Sequence, residues 1–100
     1  ERYLGWKLDG FRVRARRARN VEELKKVIIE YLTFKMKYWG KNASCTTVRD
    51  LVFYWDLPEH KVRKALNSLL SQGVLEREEY PYFPRHYVYC LRWNNESCRQ

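Results

Sequence analysis

Several kinds of residue and segment are scarce in this 100-residue sequence, and each scarcity excludes a class of protein. Three cysteines, an odd number, do not supply the framework of a small secreted disulfide protein. No apolar run approaches the roughly 18 residues of a membrane-spanning helix, and no secretory leader pattern opens the chain. The four glycines, at positions 5, 10, 40 and 73, do not have the spacing of a phosphate-cradling loop. We expect an intracellular, cytoplasmic protein without a membrane partner.

Groups suited to catalysis or metal binding are equally sparse. His60 and His86 are the two histidines, and no nucleophile stands at a spacing that would pair it with either of them as a base. The cysteines and histidines do not show the paired spacing of a zinc site. We expect no enzymatic activity, no metal and no other cofactor.

Positive charge, in contrast, is in excess. Lys and Arg number 20 against 12 Asp and Glu, which gives a net charge of +8. Residues 1–20 alone hold seven of these cations and two acids, a net +5. Concentrated positive charge in a small domain is typical of nucleic-acid-binding proteins. A basic protein with an ordinary solvated face has the same composition, so charge alone leaves that interpretation open.

The N-terminal segment has the alternation of a β-hairpin. Asp9 and Gly10 are the pair that a type I′ turn favours. Pairing around them places apolar side chains on one face and Arg12, Arg14 and Arg16 on the other. We predict a hairpin over residues 1–17 within a basic segment, 1–20. The competing interpretation of "RVRARRARN" is a helix or a flexible basic arm, and the arginines are candidate phosphate ligands in each case.

Residues 21–93 alternate between helical and extended patterns. Helices are predicted over residues 21–39, from residue 47 or 48 to about 55, and from 58 to about 72, with a brief strand at 44–46. The capping and stop residues are Asn20 with Glu23, Gly40, Thr46 or Thr47, Pro58 and Gly73. Two extended segments, 74–80 and 85–93, are joined by "PYFP", and residues 94–100 form a tail.

Each predicted helix carries an apolar stripe at helical spacing, which we expect to form the core; for the first helix, a dimer surface is the alternative. The stripes comprise Leu24, Val27, Ile28, Tyr31, Leu32, Met36 and Trp39 in the first helix, Val48, Leu51, Val52 and Trp55 in the second, and Val62, Ala65, Leu66, Leu69 and Leu70 in the third. Tyr87, Tyr89 and Leu91 share one face of the last strand and are expected to pack on this core.

The stretch "TTVRDLVFYWDLPEHKVRKALNSLLSQGVLEREEYPYFPRHYVYCLRW" resembles a winged helix-turn-helix domain. The resemblance rests on "LP" at the turn between two helices, on the row Val62, Leu66 and Leu69, and on "GVLER" where a wing begins. It covers residues 21–93 and implies an α+β fold with three helices and a two-stranded wing. The N-terminal segment lies outside this common pattern, and the acidic "EREE" departs from a typical DNA-binding wing.

The resemblance implies that the third helix enters the major groove of double-stranded DNA, as in a transcription regulator. Its cations would meet phosphates or guanine, Asn67 would bond adenine, and wing residues would reach the backbone or the minor groove. The basic N-terminal segment would bind phosphates of the DNA backbone. The candidate DNA-binding residues are His60, Lys61, Arg63, Lys64, Asn67, Ser68, Arg77, Arg85, His86, Arg12, Arg14 and Arg16.

Two structural expectations follow from the same resemblance. The short strand of Cys45 would pair beside the strand of Cys90, which places a disulfide between them within reach. Intracellular disulfides occur in thermophiles, and the many charges and few glutamines hint at such an origin. A homodimer on a palindromic site is expected by analogy, with Phe34, Tyr38 and Trp39 as one candidate interface.

A rival function is a winged-helix module for protein interaction or RNA binding within a nucleoprotein assembly. The acidic "EREE" strand and the aromatic "YPYF" loop favour it. Tyr80, Tyr82 and Phe83 would stack on single-stranded bases or contact a protein. The chain begins at Glu1 rather than at methionine, as an excised module of a larger protein would.

Overall fold

Four helices and a small antiparallel sheet make up the part of the chain that the structure, a computed structural model, describes: residues 2–40, 43–79 and 87–92, with side chains from residue 8 onward. The elements are α1 (Arg2–Arg17), α2 (Val21–Trp39), β1 (Cys45–Thr46), α3 (Val48–Trp55), α4 (Glu59–Ser71), β2 (Leu75–Glu79) and β3 (Tyr87–Leu91). The sheet order is β1-β3-β2. The expected α+β class is confirmed.

The N-terminal segment is a helix, so the hairpin prediction for residues 1–17 is wrong. Gly10 lies inside α1 instead of at a turn, and the residues that reach the core follow a helical period. Phe11 packs on Tyr31, with 5.7 Å between ring centroids, and Ala15 is buried. An isolated two-stranded hairpin is only marginally stable in water, whereas α1 packs against both α2 and α3. The competing helical interpretation is the one observed.

Both ends of α2 lie where their capping residues predict. Asn20 Oδ1 accepts the N–H of Glu23 at 2.9 Å, and Glu23 Oε1 accepts the N–H of Arg19 at 2.8 Å. This arrangement is a variant of the capping box, in which the glutamate accepts the N–H of the residue before the N-cap instead of the N–H of the N-cap itself. At the other end Gly40 adopts a φ of +97° and its N–H donates to Met36 O at 2.9 Å. The positive φ favours glycine at this position.

Helices α3 and α4 follow each other across a short turn. Thr47 caps α3 by accepting the N–H of Asp50 at 3.0 Å. Asp56 ends the helix in the left-handed conformation, with a φ of +56°, and Pro58 is the N-cap of α4. The predicted start and end of this helix are each correct to within a residue.

Helix α4 ends in a Schellman motif. The N–H of Gly73 donates to Leu70 O at 3.1 Å, and the N–H of Val74 donates to Leu69 O at 3.0 Å. Gly73 has a φ of +80°, which this closure requires and glycine adopts without strain. The chain is thereby turned directly from α4 into β2.

The core lies where α2, α3, α4 and the sheet meet. Its largest fully buried side chains belong to the predicted stripes and to the start of β2: Ile28, Leu32, Leu51, Val62, Leu66, Leu69 and Leu75. The rings of Trp55 and Tyr31 pack edge to face, with 5.0 Å between their centroids. Ala15 of α1 belongs to the same cluster. Trp39, at the end of the α2 stripe, is 52% exposed and lies outside the core. None of the helices in the described ranges combines the length and apolarity that crossing a bilayer requires.

Strand β3 is the centre of the sheet. It pairs with β1 through Cys45 opposite Cys90 and with β2 from Leu75 opposite Leu91 to Glu79 opposite Tyr87. Alternation places Tyr89 on the core side, where it is buried as expected. The disulfide that the resemblance implied joins Cys45 to Cys90 on the other face. It therefore links the chain before α3 to the last described strand.

Candidate nucleic-acid interface

The surface of α4 that faces away from the core is polar along its whole length. Burial of Val62, Leu66 and Leu69 fixes the rotation of the helix about its axis. One exposed row at helical spacing contains His60, Lys64, Asn67 and Ser71; Glu59 and Arg63 flank it on one side, and Lys61 and the half-buried Ser68 on the other. The residues predicted to bind DNA on this helix therefore share one outward surface.

Two of these α4 side chains already have partners within the chain. Arg63 forms an ion pair with Glu59, one turn earlier, and Asn67 Oδ1 accepts a hydrogen bond from the Tyr89 hydroxyl at 3.4 Å. An adenine contact uses both the oxygen and the nitrogen of asparagine. Asn67 must therefore share its oxygen, which has two lone pairs, or release Tyr89.

The other basic residues of α4 are less constrained. Within the described ranges no carboxylate forms an ion pair with His60, Lys61 or Lys64. All three side chains are exposed. The charges of Lys61 and Lys64 and the side-chain donors of all three residues are thus available to an external anion without first breaking an ion pair of the described structure.

The three arginines expected on one face of a hairpin have different surroundings on α1. Residues two apart are about 200° apart around a helix, so Arg14 lies opposite Arg12 and Arg16, which are four residues apart and share one side of α1. Arg14 Nη1 lies 2.6 Å from Glu30 Oε1 on α2, and Arg16 Nη2 lies 3.8 Å from Asp56 Oδ2 in the turn before α4. Arg12 lines a cavity beside Tyr31. The single arginine face is therefore wrong, and only Arg16 of the three is directed toward α4.

The pair between Arg14 and Glu30 changes the titration of both groups. The hydrogen bond that Arg14 donates is the main reason why the pKa of Glu30 is lowered, and the same bond raises the pKa of Arg14. Both side chains are about half exposed. This pair occupies the charge of Arg14, so Arg14 is a weaker candidate for phosphate than the sequence predicted.

A basic groove joins α1 to α4, and sequence reasoning missed it. The C-terminal end of α1, the start of α2 and the first turns of α4 enclose about 320 Å³. The apolar lining residues are Ala15, Ala18, Val21, Leu24 and Leu57, and the basic ones are Arg16, Arg19, His60, Lys61 and Lys64. Arg19 was not among the predicted site residues. Its position directly before the N-cap Asn20 was the available signal, because it places Arg19 at the junction of two helices.

The described part of the predicted wing combines one stacked arginine with an acidic edge. The Arg77 guanidinium carbon lies 4.1 Å from the centroid of the Tyr87 ring. Glu76, Glu78 and Glu79 are exposed on β2, which is an edge strand. The predicted contacts Arg85 and His86 and the loop aromatics Tyr80, Tyr82 and Phe83 lie outside the described residues.

Aromatic side chains form a second exposed surface. On α3, Phe53 is 79% and Tyr54 59% exposed, and Tyr38 and Trp39 are about half exposed at the end of α2. Phe34, the third residue of the expected dimer interface, is half-buried and contacts Tyr38 in a tilted arrangement, with 4.6 Å between the ring centroids. This surface offers apolar contact area instead of charge.

A half-buried lysine lines the cavity between α1, α2 and α3. Lys35 Nζ donates to Cys45 O at 3.1 Å and lies 5.1 Å from the Tyr31 ring centroid. Burial lowers the pKa of Lys35 and raises that of Tyr31. Lys35 thus ties α2 to β1, and we assign it a structural role.

Within the ranges that the structure covers, no three His, Cys, Asp or Glu residues are grouped so that they would hold a metal ion. Comparisons of the chain with protein-family models, with curated proteins and with solved structures find no significant match.

Proposed function

We propose that this chain is a winged-helix protein that binds double-stranded DNA through α4, as a transcription regulator does. The observation that carries the proposal is the exposed row His60, Lys64, Asn67 and Ser71 on α4, beside a groove rimmed with cations. A helix after a tight turn, followed by an antiparallel strand pair, supports the winged-helix assignment. The DNA major groove is about 12 Å wide and admits an α-helix.

The contacts assigned to each side chain follow from their positions along α4. Recognition helices reach base edges mainly with their N-terminal residues, so we assign His60 to a base edge or phosphate. Lys61 and Lys64 are assigned to phosphates, because their charges are not paired within the described structure. Asn67 is assigned to a base and Arg77 to the backbone. The glutamates of β2 limit how closely the wing approaches the duplex.

Fluorescence-anisotropy titrations of duplex DNA, single-stranded DNA and structured RNA across a salt series test the proposal. We expect a preference for duplex and a steep fall of affinity with salt. Changing Lys61 and Lys64 to alanine should weaken duplex binding roughly tenfold. It should also reduce the salt slope by about 1.8, because each phosphate that a lysine neutralises contributes about 0.9 to that slope.

The matched control changes two exposed lysines of α2, Lys26 and Lys37, to alanine. This variant has the same net charge as the α4 variant but leaves α4 and the groove intact. Equal losses of affinity in both variants would mean that only net charge matters. Absence of duplex binding by the wild-type chain at low salt would refute the proposal.

Homodimer formation is part of the same proposal. Tyr38 and Trp39 are large aromatic residues that remain about half exposed, and a second copy packed on them would present two copies of α4 to a palindromic site. Sedimentation equilibrium of the wild-type chain and of Trp39→Glu tests this. We expect a dimer that the substitution dissociates, and a wild-type monomer at the concentrations used for DNA binding would contradict it.

A protein-interaction or RNA-binding module is the second candidate function. The exposure of Phe53 and Tyr54 favours it, because large exposed aromatic residues are enriched at protein interfaces. RNA or single strands bound more tightly than duplex in the titrations above, together with no effect of the Lys61 and Lys64 substitutions, would favour this candidate over the regulator.

A further inference from the structure

We propose that the groove between α1 and α4 holds one sugar-phosphate strand of the duplex, with Arg16 and Arg19 on one wall and Lys61 and Lys64 on the other. The inference rests on the proposed function and deepens it, because it extends the contact surface from α4 to the end of α1, which lies outside the helix-turn-helix and wing. It also adds Arg19, which lies outside the resemblance.

The lining of the groove matches the chemistry of a nucleic-acid backbone. Arg16, Arg19, Lys61 and Lys64 place four formal positive charges around it, and the described lining residues contain no Asp or Glu. An anionic ligand is therefore favoured. Between the cations the floor is apolar, formed by side chains such as Ala18 and Leu57. A DNA strand alternates charged phosphates with the less polar faces of deoxyribose, so it presents both kinds of group.

The start of α4 adds backbone donors to the same wall. The N-cap of α4 is Pro58, which makes no side-chain capping hydrogen bond. The first N–H groups of a helix have no partner in the regular helical ladder. In α4 the N–H of Lys61 donates to Pro58 O at 3.1 Å, so within the described structure the N–H groups of Glu59 and His60 remain for a ligand. The positive end of the helix dipole favours an anion there. A phosphate beside His60 and Lys61 would satisfy these donors.

One carboxylate competes with a phosphate at the edge of the groove. Asp56 Oδ2 lies 3.8 Å from Arg16 Nη2, and the Asp56 side chain is 75% exposed. A strand bound at Arg16 must therefore displace this carboxylate or tolerate its charge. Asparagine adopts the left-handed conformation of residue 56 as readily as aspartate does. Asp56→Asn thus removes the competing charge without disturbing the turn.

The other arginines of α1 are placed elsewhere and provide matched controls. Arg12 lines the cavity near Tyr31, and Arg17 lines a different shallow cavity beside Glu23 and Lys26. Both are exposed and lie on the same helix as Arg16. If the groove binds the strand, replacing Arg16 and Arg19 should lower the affinity for duplex DNA. Replacing Arg12 and Arg17 should lower it much less, although both replacements change the net charge by the same amount.

The test compares Arg16→Gln/Arg19→Gln with Arg12→Gln/Arg17→Gln in duplex titrations across a salt series. We expect the first variant to bind roughly tenfold more weakly to every duplex sequence, with a salt slope shallower by about 1.8. The control should keep nearly the wild-type slope. Circular dichroism establishes that each variant is folded.

Asp56→Asn is an independent test, because it should raise the affinity for duplex DNA whereas the arginine substitutions should lower it. We expect it to tighten duplex binding severalfold in the wild-type background and to have no effect once Arg16 is glutamine. Equal losses of affinity in the two arginine variants, or Arg16→Gln/Arg19→Gln binding like wild type, would overturn the groove while leaving DNA binding through α4 intact. A wild-type chain that binds no duplex would instead overturn the proposed function itself.

Discussion

The basic side chains of α1 and α4 differ in how much of their charge is available to a ligand. Arg14 and Arg63 each form an ion pair with a glutamate, whereas Lys61 and Lys64 form none within the described structure. Exposed pairs contribute little to stability. A glutamate nevertheless competes with phosphate for the same donors. The number of arginines in the sequence therefore overestimates the number of phosphates that the protein can neutralise.

The ion pair between Arg14 and Glu30 should produce a measurable change in the pKa of Glu30. Because Arg14 donates to the Glu30 carboxylate, the pKa of Glu30 lies below its ordinary value in the folded protein. The stabilisation from this pair is present above the unfolded pKa and is lost as the pH falls through the folded pKa. Side-chain NMR should show Glu30 titrating at a lower pH in the wild type than in Arg14→Gln. Identical titration curves would show that the pair does not form in solution.

At the scale of elements, local signals sufficed for α2, α3 and α4 and failed for α1. The caps Asn20 and Thr47 and the stop Gly73 act on the residues next to them, so their effects can be predicted from sequence. In α1 the Asp9-Gly10 pair and the period-2 alternation predicted a turn. Packing of Phe11 on Tyr31 decided otherwise, and that contact joins residues far apart in sequence.

Gly10 provides the direct test of the helical N-terminus. It lies inside α1, and a Cβ built there meets no atom within 4 Å. Alanine is favoured over glycine inside a helix by roughly 1 kcal/mol, so Gly10→Ala should raise the free energy of unfolding by about 0.5–1 kcal/mol. Thermal and urea denaturation measure the change. A decrease in stability would instead indicate the positive φ that a type I′ turn requires.

At the scale of the whole molecule, the site depends on contacts that sequence reasoning did not supply. The outward face of α4 could be predicted because its buried row, Val62, Leu66 and Leu69, sets the rotation of the helix. The groove could not be predicted, since it exists only because α1 ends beside the start of α4. The same is true of the contact between Asn67 and Tyr89, which joins α4 to the central strand.

The disulfide closes a loop of the chain that contains α3 and α4. Cys45 and Cys90 are 45 residues apart in sequence, and restricting a loop of that length in the unfolded chain corresponds to about 4 kcal/mol in the chain-entropy model. Replacing both cysteines with serine should lower the free energy of unfolding by about 2–4 kcal/mol in urea denaturation. Cys98→Ser is the control. A decrease below about 1 kcal/mol would show that the bond constrains little.

In the proposed complex, α4 presents its outward face to duplex DNA. Backbone-amide NMR during titration with a duplex tests it most directly, because it reports the binding surface residue by residue. We predict that shifts concentrate on α4, from His60 to Ser71, and on the turn between α1 and α2. Shifts confined to the aromatic surface of Phe53, Tyr54 and Trp39, with α4 unchanged, would contradict this mode of DNA binding.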